Sequence, residues 1–232
     1  YTGHAMLREL VMGRNDLNRT ATTEELEKMK TILSSELSKG SLGLSTGLEY
    51  EKGFYASRHE VIELAKVASF SKKRYISHIR SEDVNMADAI DEIIDIGKKA
   101  KLPVQISHLK IALKDDWGTG PALLAKLHLA RLEGIDITAD CYPYNFWNST
   151  IRVLFPKKNF TSLAGSTYAI DHLFDPFGSV MVRFAPEPSY IGKTVSEIAD
   201  IRNENVASTL LYLVSEAEAY EKEHPEADGI ET

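Results

Sequence analysis

Ile76-Ser77-His78-Ile79-Arg80, preceded by Arg74-Tyr75, returns about 30 residues later as Ile106-Ser107-His108-Leu109-Lys110, preceded by Leu102-Pro103-Val104-Gln105. That interval is the length of one strand-helix-strand unit. Each copy is a short apolar run with a histidine at its end. Asn85 to Lys101, between them, reads as one amphipathic helix through Ala89, Ile90, Ile93, Ile94 and Ile96. The two copies are therefore expected to be adjacent parallel strands, with both histidines at equivalent carboxyl-terminal positions, where the loops of parallel α/β folds converge on one mouth. Adjacent strands lie about 4.8 Å apart and zinc-nitrogen bonds are about 2.0 to 2.1 Å, so the two imidazoles can share one ion. A lone histidine of this kind is more often a hydrogen-bonded core residue. The recurrence of the pattern in consecutive units has no packing reason, and it favours His78 and His108 as paired metal ligands.

The same alternation continues on both sides of these repeats. Thr22-Thr23-Glu24-Glu25 offers amino-terminal caps to a helix with Leu26, Met29, Ile32, Leu33 and Leu37 on one stripe, closed by Gly40. A strand is expected at Leu42 to Ser45, followed by the polar, glycine-punctuated loop from Thr46 to Gly53, whose Glu49 and Tyr50 are suited to touching a ligand. Ser57-Arg58-His59-Glu60 reads as a capping box opening a helix with Val61, Leu64, Ala65 and Ala68 inward. His4 and Arg8, four apart on one helical face, read as a structural pair. Beyond Trp117-Gly118-Thr119-Gly120, a helix from Pro121 to Glu133 is expected to bury Leu123, Leu124, Leu127 and Leu129, and a strand from Ile135 to Ala139 ends in Asp140-Cys141-Tyr142-Pro143-Tyr144. Strand and helix thus repeat four times, which suits either a (β/α)8 barrel or a doubly wound sheet.

The pattern changes after Asn145. Asn145 to Phe160 is rich in aromatics and turn formers, Val180 to Ala185 reads as a strand, and Ser189 to Ile201 and Ala207 to Glu223 read as helices. Glu216 to Glu226 is expected to be a solvated helical end, with a turn at Asp228-Gly229. Residues 1–150 are accordingly assigned to the central part of a barrel and 151–232 to an irregular insertion with later barrel elements.

Composition bounds the function. The chain has 232 residues, 43% hydrophobic and 26% charged, ordinary for a globular protein with a substantial core. A net charge of -7 and a pI near 5.6 argue against nucleic-acid binding, since Lys72-Lys73-Arg74 and Lys157-Lys158 are only short runs. A single cysteine, Cys141, excludes an intrachain disulfide and is compatible with a reducing, cytoplasmic compartment; its expected state is a small buried thiol. No run reaches the length of a membrane span. The opening Tyr1-Thr2-Gly3-His4 is neither a starting methionine nor a leader, which suggests that the sequence begins inside a longer protein.

With these segments placed, the sequence resembles the N-acyl-D-amino-acid deacylases, or D-aminoacylases, of the amidohydrolase superfamily. The likeness rests on Gly3-His4-x-x-x-Arg8, the loop from Gly43 to Tyr50, Ser77-His78-Ile79-Arg80-Ser81-Glu82, Ser107-His108-Leu109-Lys110 and Asp140-Cys141-Tyr142-Pro143-Tyr144. It implies an α/β fold, part of a metal-dependent (β/α)8 TIM-type barrel, and zinc-dependent hydrolysis of the amide of N-acyl-D-amino acids to a carboxylate and a D-amino acid. His78 and His108 are then zinc ligands, Lys110 and Tyr142 hold the substrate α-carboxylate, and Glu49 and Tyr50 are expected to line the substrate's side-chain pocket. The family's first-strand His-x-His, its cysteine ligand and its general-base aspartate have no counterpart here. They are expected outside this chain, so that residues 1–232 alone are expected to be inactive. Two alternatives stand beside this reading. One is an amidohydrolase of cyclic amides, of the hydantoinase or dihydroorotase type, which would call for a bridging carbamylated lysine; the other is a barrel module that has lost catalysis.

Overall fold

The computed structural model describes residues 1–224; the end of the expected helical segment at Glu226 and the Asp228-Gly229 turn lie outside them. Five strands form one parallel sheet: β1 (Thr2–Gly3), β2 (Gly43–Gly47), β3 (Arg74–His78), β4 (Val104–Ile106) and β5 (Ile137–Ala139). They lie side by side in chain order. A doubly wound sheet reverses its strand order at a switch point, and none occurs between β1 and β5. The sheet is therefore wound in one sense, as an arc of a (β/α) barrel, and the choice left open by the sequence is closed.

Helices α1 (His4–Met12) and α2 (Thr23–Ser38) connect β1 to β2. The short α3 (Glu51–Phe54) and α4 (Arg58–Phe70) connect β2 to β3, α5 (Met86–Ala100) connects β3 to β4, and α6 (Gly120–Leu132) connects β4 to β5. Thr22 and Glu25 make the full capping box of α2. In α4 only half of the expected box forms, because Ser57 accepts from the Glu60 amide while the Glu60 carboxylate is used elsewhere. Burial alternates along the strands as a period of two demands. Leu44, Tyr75, Val104, Ile106 and Ile137 are buried with Leu33, Leu64, Ile90 and Ile93 of the helices. Ile76, His78 and Gln105 are only partly buried on the other face.

Glu60 reaches the first helix. His4 Nε2 lies 2.8 Å from Glu60 Oε1, and Arg8 Nη1 donates to both Glu60 oxygens at 2.7 and 2.8 Å. Arg8 Nη2 donates to the carbonyls of Leu17 and Arg19 at 3.1 and 2.6 Å. His4 and Arg8 are thus structural, paired through a shared carboxylate rather than with each other.

Several expectations fail here. In α6, Leu127 and Ala130 are buried, but Leu124 and Leu129 are 62% and 59% exposed, because positions 123, 127 and 130 form the stripe facing the sheet and 124 and 129 fall on the opposite side. Cys141 is exposed rather than buried. The two-residue β1, too short to show a period, went unrecognised.

Residues 1–112 and 116–143 form one compact unit; residues 113–115 and 144–224 form a second. The second has its own core of Phe155, Met181, Phe184, Ile198, Leu210, Leu213 and Val214. Helices α7 (Leu163–His172), which the sequence did not reveal, and α8 (Val195–Arg202) pack on α9 (Val206–Glu223). Lys114 Nζ caps the end of α7 through the carbonyls of Ile170 and Phe174, both at 3.0 Å. The strand expected at Val180 to Ala185 is not formed. A single antiparallel bridge joins Val180 to Thr194, since Met181 and Phe184 are both buried, a spacing of three that a strand cannot place on one face.

Candidate metal centre

The two Ile-Ser-His copies are adjacent but not in step. The register pairs Ile76 with Gln105 and Ser77 with Ile106, one residue off the repeat. His78 is the last residue of β3, whereas His108 lies two residues beyond β4. Paired residues of a parallel sheet share a face, so strand alternation alone would turn position 108 away from His78. A turn at Ser107-His108 corrects this, with His108 in the left-handed region at φ 40, uncommon for any residue but glycine. Asp140, at the end of β5, holds that turn: its Oδ1 accepts from His108 N at 2.6 Å and its carbonyl from Leu109 N at 2.7 Å. The expectation of equivalent strand positions is corrected, but the rings do meet, with centroids 4.7 Å apart.

Each of the four ring nitrogens has a polar partner. His78 Nε2 lies 2.7 Å from Glu49 Oε2, and His108 Nδ1 lies 2.9 Å from Glu82 Oε1. The remaining pair, His78 Nδ1 and His108 Nε2, face each other at 3.1 Å. A carboxylate accepts, so Glu49 fixes the proton of neutral His78 on Nε2 and Glu82 fixes that of neutral His108 on Nδ1. Two lone pairs are then left pointing at one another, an arrangement that calls for a cation between them. Two nitrogens about 2.05 Å from one tetrahedral ion are roughly 3.3 Å apart, close to the separation found. Carboxylates on the outer nitrogens are the usual support of metal-binding imidazoles. The residues therefore fit a divalent metal.

Among the described residues, His78, Glu82 and His108 bring ligand atoms within 4.8 Å of one another. Glu82 could in principle be a third ligand, but its oxygens are already taken. Oε1 is on His108, and Oε2 accepts from Lys110 Nζ at 2.5 Å. Lys110 Nζ is also 2.9 Å from His108 Nδ1; both are donors when Nδ1 carries its proton, and both turn to Glu82. Burial pushes Glu82 upward, but the His108 hydrogen bond and the neighbouring His78 and Lys110 side chains outweigh it, and its pKa lies below the ordinary carboxylate value. It remains ionised as the acceptor of two donors. Tyr142 completes the row, its ring centroid 5.7 Å from Lys110 Nζ. Burial and the Glu82 charge push its phenol up to about 12, so its hydroxyl remains a donor. Tyr50 packs against His78 with centroids 4.6 Å apart.

His78, His108, Lys110, Tyr142, Glu49 and Tyr50 thus all fall in one neighbourhood. Sequence reasoning did not single out Glu82, although Ser81-Glu82 follows the first repeat, and did not link Glu49 to His78. The 29-residue separation of Glu49 and His78 hides the contact from any local pattern.

No protein-family profile matches the chain. Its sequence is 30% identical over 198 residues to N-acyl-D-glutamate deacylase of Alcaligenes xylosoxydans xylosoxydans, covering 85% of this chain and 36% of that protein. It is 29% identical to D-aminoacylase of the same organism over 88% of this chain and 38% of the relative. The chain therefore spans little more than a third of the length of these relatives. Among solved structures, a D-aminoacylase described as defining a subset of amidohydrolases aligns with TM-score 0.75 and 26% identity, over 98% of this chain and 41% of the other. N-acyl-D-glutamate deacylase from Bordetella bronchiseptica, solved with zinc and a phosphonate mimic of the tetrahedral intermediate, aligns with TM-score 0.76 and 26% identity, over 90% and 40%.

Proposed function

Because the chain is a distant homologue within the D-aminoacylase, or N-acyl-D-amino-acid deacylase, family of amidohydrolases, we propose that its protein is a zinc-dependent hydrolase that cleaves N-acyl-D-amino acids to a carboxylate and a D-amino acid. The observation that carries this reading is the pair of ring nitrogens facing at 3.1 Å, with both outer nitrogens held by carboxylates. His78 Nδ1 and His108 Nε2 would hold the ion, with Glu49 and Glu82 fixing the rings. When bound, zinc supplies a Lewis acid for the amide carbonyl and lowers the pKa of water to near 7.

The other residues have binding work. Lys110 offers an ammonium, and Tyr142 a phenol that stays protonated, to the α-carboxylate of the substrate. Glu82 accepts from Lys110 and keeps the ammonium beside the metal ligands when no substrate is present. Tyr50 lines the approach to His78. The relatives named for D-glutamate and D-aspartate substrates make an acidic amino acid the first to try.

The test is amine release from N-acetyl-D-glutamate, N-acetyl-D-aspartate and N-acetyl-D-methionine, and from their L-enantiomers, by protein expressed from the full gene, before and after chelation. D-selective release that chelation abolishes and zinc restores is expected. Hydrolysis of a hydantoin without release from any acyl-D-amino acid would replace this reading with the cyclic-amide one. No hydrolysis and no zinc would favour the non-catalytic module.

A further inference from the structure

The two repeats end in cations that are used differently. Lys110 joins the Glu82 network, whereas Arg80 turns to α5 and makes a two-pronged pair with Glu92, Nε to Oε2 at 2.7 Å and Nη2 to Oε1 at 2.8 Å. Glu92 is buried. The third arm, Nη1, donates to the carbonyl of Phe54 at 2.8 Å, at the end of α3. Phe54 closes the loop that begins at Gly47 and carries Glu49 and Tyr50. The other end of that loop is tied to the same strand, Leu48 N donating to His78 O at 3.1 Å. Between the two ties, Glu49 reaches His78 Nε2 at 2.7 Å. Residues 78–80 thus hold both ends and the middle of one loop.

The loop is folded tightly on itself. A Cβ on Gly53 would stand 2.4 Å from Gly47 O, and one on Gly47 would stand 2.8 Å from the Tyr50 ring. A loop folded this closely leaves Glu49 little freedom if both ends are held. A lysine at position 80 would keep the charge but lacks the planar fork that serves a carboxylate and a carbonyl together.

The geometry points to Arg80 as a positioning residue: by fixing Phe54 O from the Glu92 pair, it holds the loop that presents Glu49 to His78, and so sets the proton of His78 on Nε2 and frees Nδ1 as a ligand. This deepens the metal reading above, but the Glu49–His78 arrangement stands without a metal. The primary readout is therefore the His78 tautomer in the metal-free protein, from long-range nitrogen–proton imidazole spectra. The protein, Arg80→Lys, Glu49→Gln and the double variant are compared, with thermal midpoints as the fold control. A single Nε2–H form is expected in the protein, mixed forms in each single variant, and no further change in the double variant. Zinc affinity, measured by competition with a chromophoric chelator, is expected to fall about tenfold in each single variant, again without addition in the double. A folded Arg80→Lys protein with unchanged His78 tautomer, or losses of zinc affinity that add, would overturn the proposal and leave Arg80 a structural residue. If Arg80→Lys does not fold, Gly53→Ala, which disturbs the same loop with the ion pair intact, decides: an unchanged His78 spectrum there overturns it. Failure of every form to bind zinc, with the tautomer changes present, would instead count against the metal reading.

Discussion

Replacing Glu60 removes the acceptor shared by the buried Arg8 guanidinium and the buried His4 imidazole. Arg8 is fully buried, and His4 and Glu60 are nearly so; three side-chain hydrogen bonds of 2.7 to 2.8 Å converge on the carboxylate. Breaking a buried pair by deleting one partner costs about 3 to 5 kcal/mol, because the other charge is left uncompensated. Arg8 keeps the carbonyls of Leu17 and Arg19, so the lower end, about 3 kcal/mol, is expected for Glu60→Ala. Glu60→Gln keeps the shape and one acceptor and is expected to lose about 2 kcal/mol. Hydrogen exchange of the β2 and β3 amides, followed by mass spectrometry, reads the unit concerned without mixing in the other. A loss of about 3 kcal/mol accelerates globally opening amides on the order of a hundredfold. Burial alone would raise the pKa of Glu60, but the His4 and Arg8 interactions outweigh it and lower it below the usual 4.5. The sign follows: the stabilisation is complete above the unfolded value and is lost as pH falls through the lower folded value. Below pH 4.5 the protein should therefore lose stability faster than Glu60→Gln. Exchange accelerated less than fivefold in Glu60→Ala, or identical acid sensitivity in Glu60→Gln, would refute the shared-acceptor account.

Other outcomes follow from single contacts. Lys110→Ala should lower kcat/KM for acyl-D-amino acids by on the order of 2 to 4 kcal/mol more than for amides without a carboxylate; equal losses on both substrates would contradict the carboxylate role. Gly53→Ala forces a Cβ to 2.4 Å from Gly47 O and should cost about 1 to 3 kcal/mol of stability in denaturant titration. Tyr142→Phe should remove a phenol that titrates near 12 rather than near the ordinary 10. In an ultraviolet pH titration its difference from the protein should appear only in that late phase.

The parts of the fold that a local pattern can encode were legible. Helix α5, expected over Asn85 to Lys101, is bounded by those two residues as its caps, because its isoleucines repeat at helical spacing. The strand ending at His78 was legible from its apolar run. What failed depended on distant partners. The run from Val180 to Ala185 has β-forming residues but only one bridge to pair with. Leu124 and Leu129 satisfied an apolar count, not the angle at which α6 meets the sheet. In the site, the histidines were visible because they repeat; the carboxylates that orient them were not, since Glu49 and Glu82 reach rings 29 and 26 residues away. The one-residue slip between the repeats was also hidden, for it is set by register and undone by the turn that Asp140 holds.

The central claim is that His78 Nδ1 and His108 Nε2 are the atoms that hold the metal. Anomalous diffraction at the zinc edge from crystals grown with zinc tests it most directly. The account predicts a peak between the two rings, about 2.0 to 2.1 Å from each of these nitrogens, with Glu49 and Glu82 on the outer nitrogens. A zinc bound through Glu82 with His108 Nε2 turned away, or no peak between the rings, would contradict it.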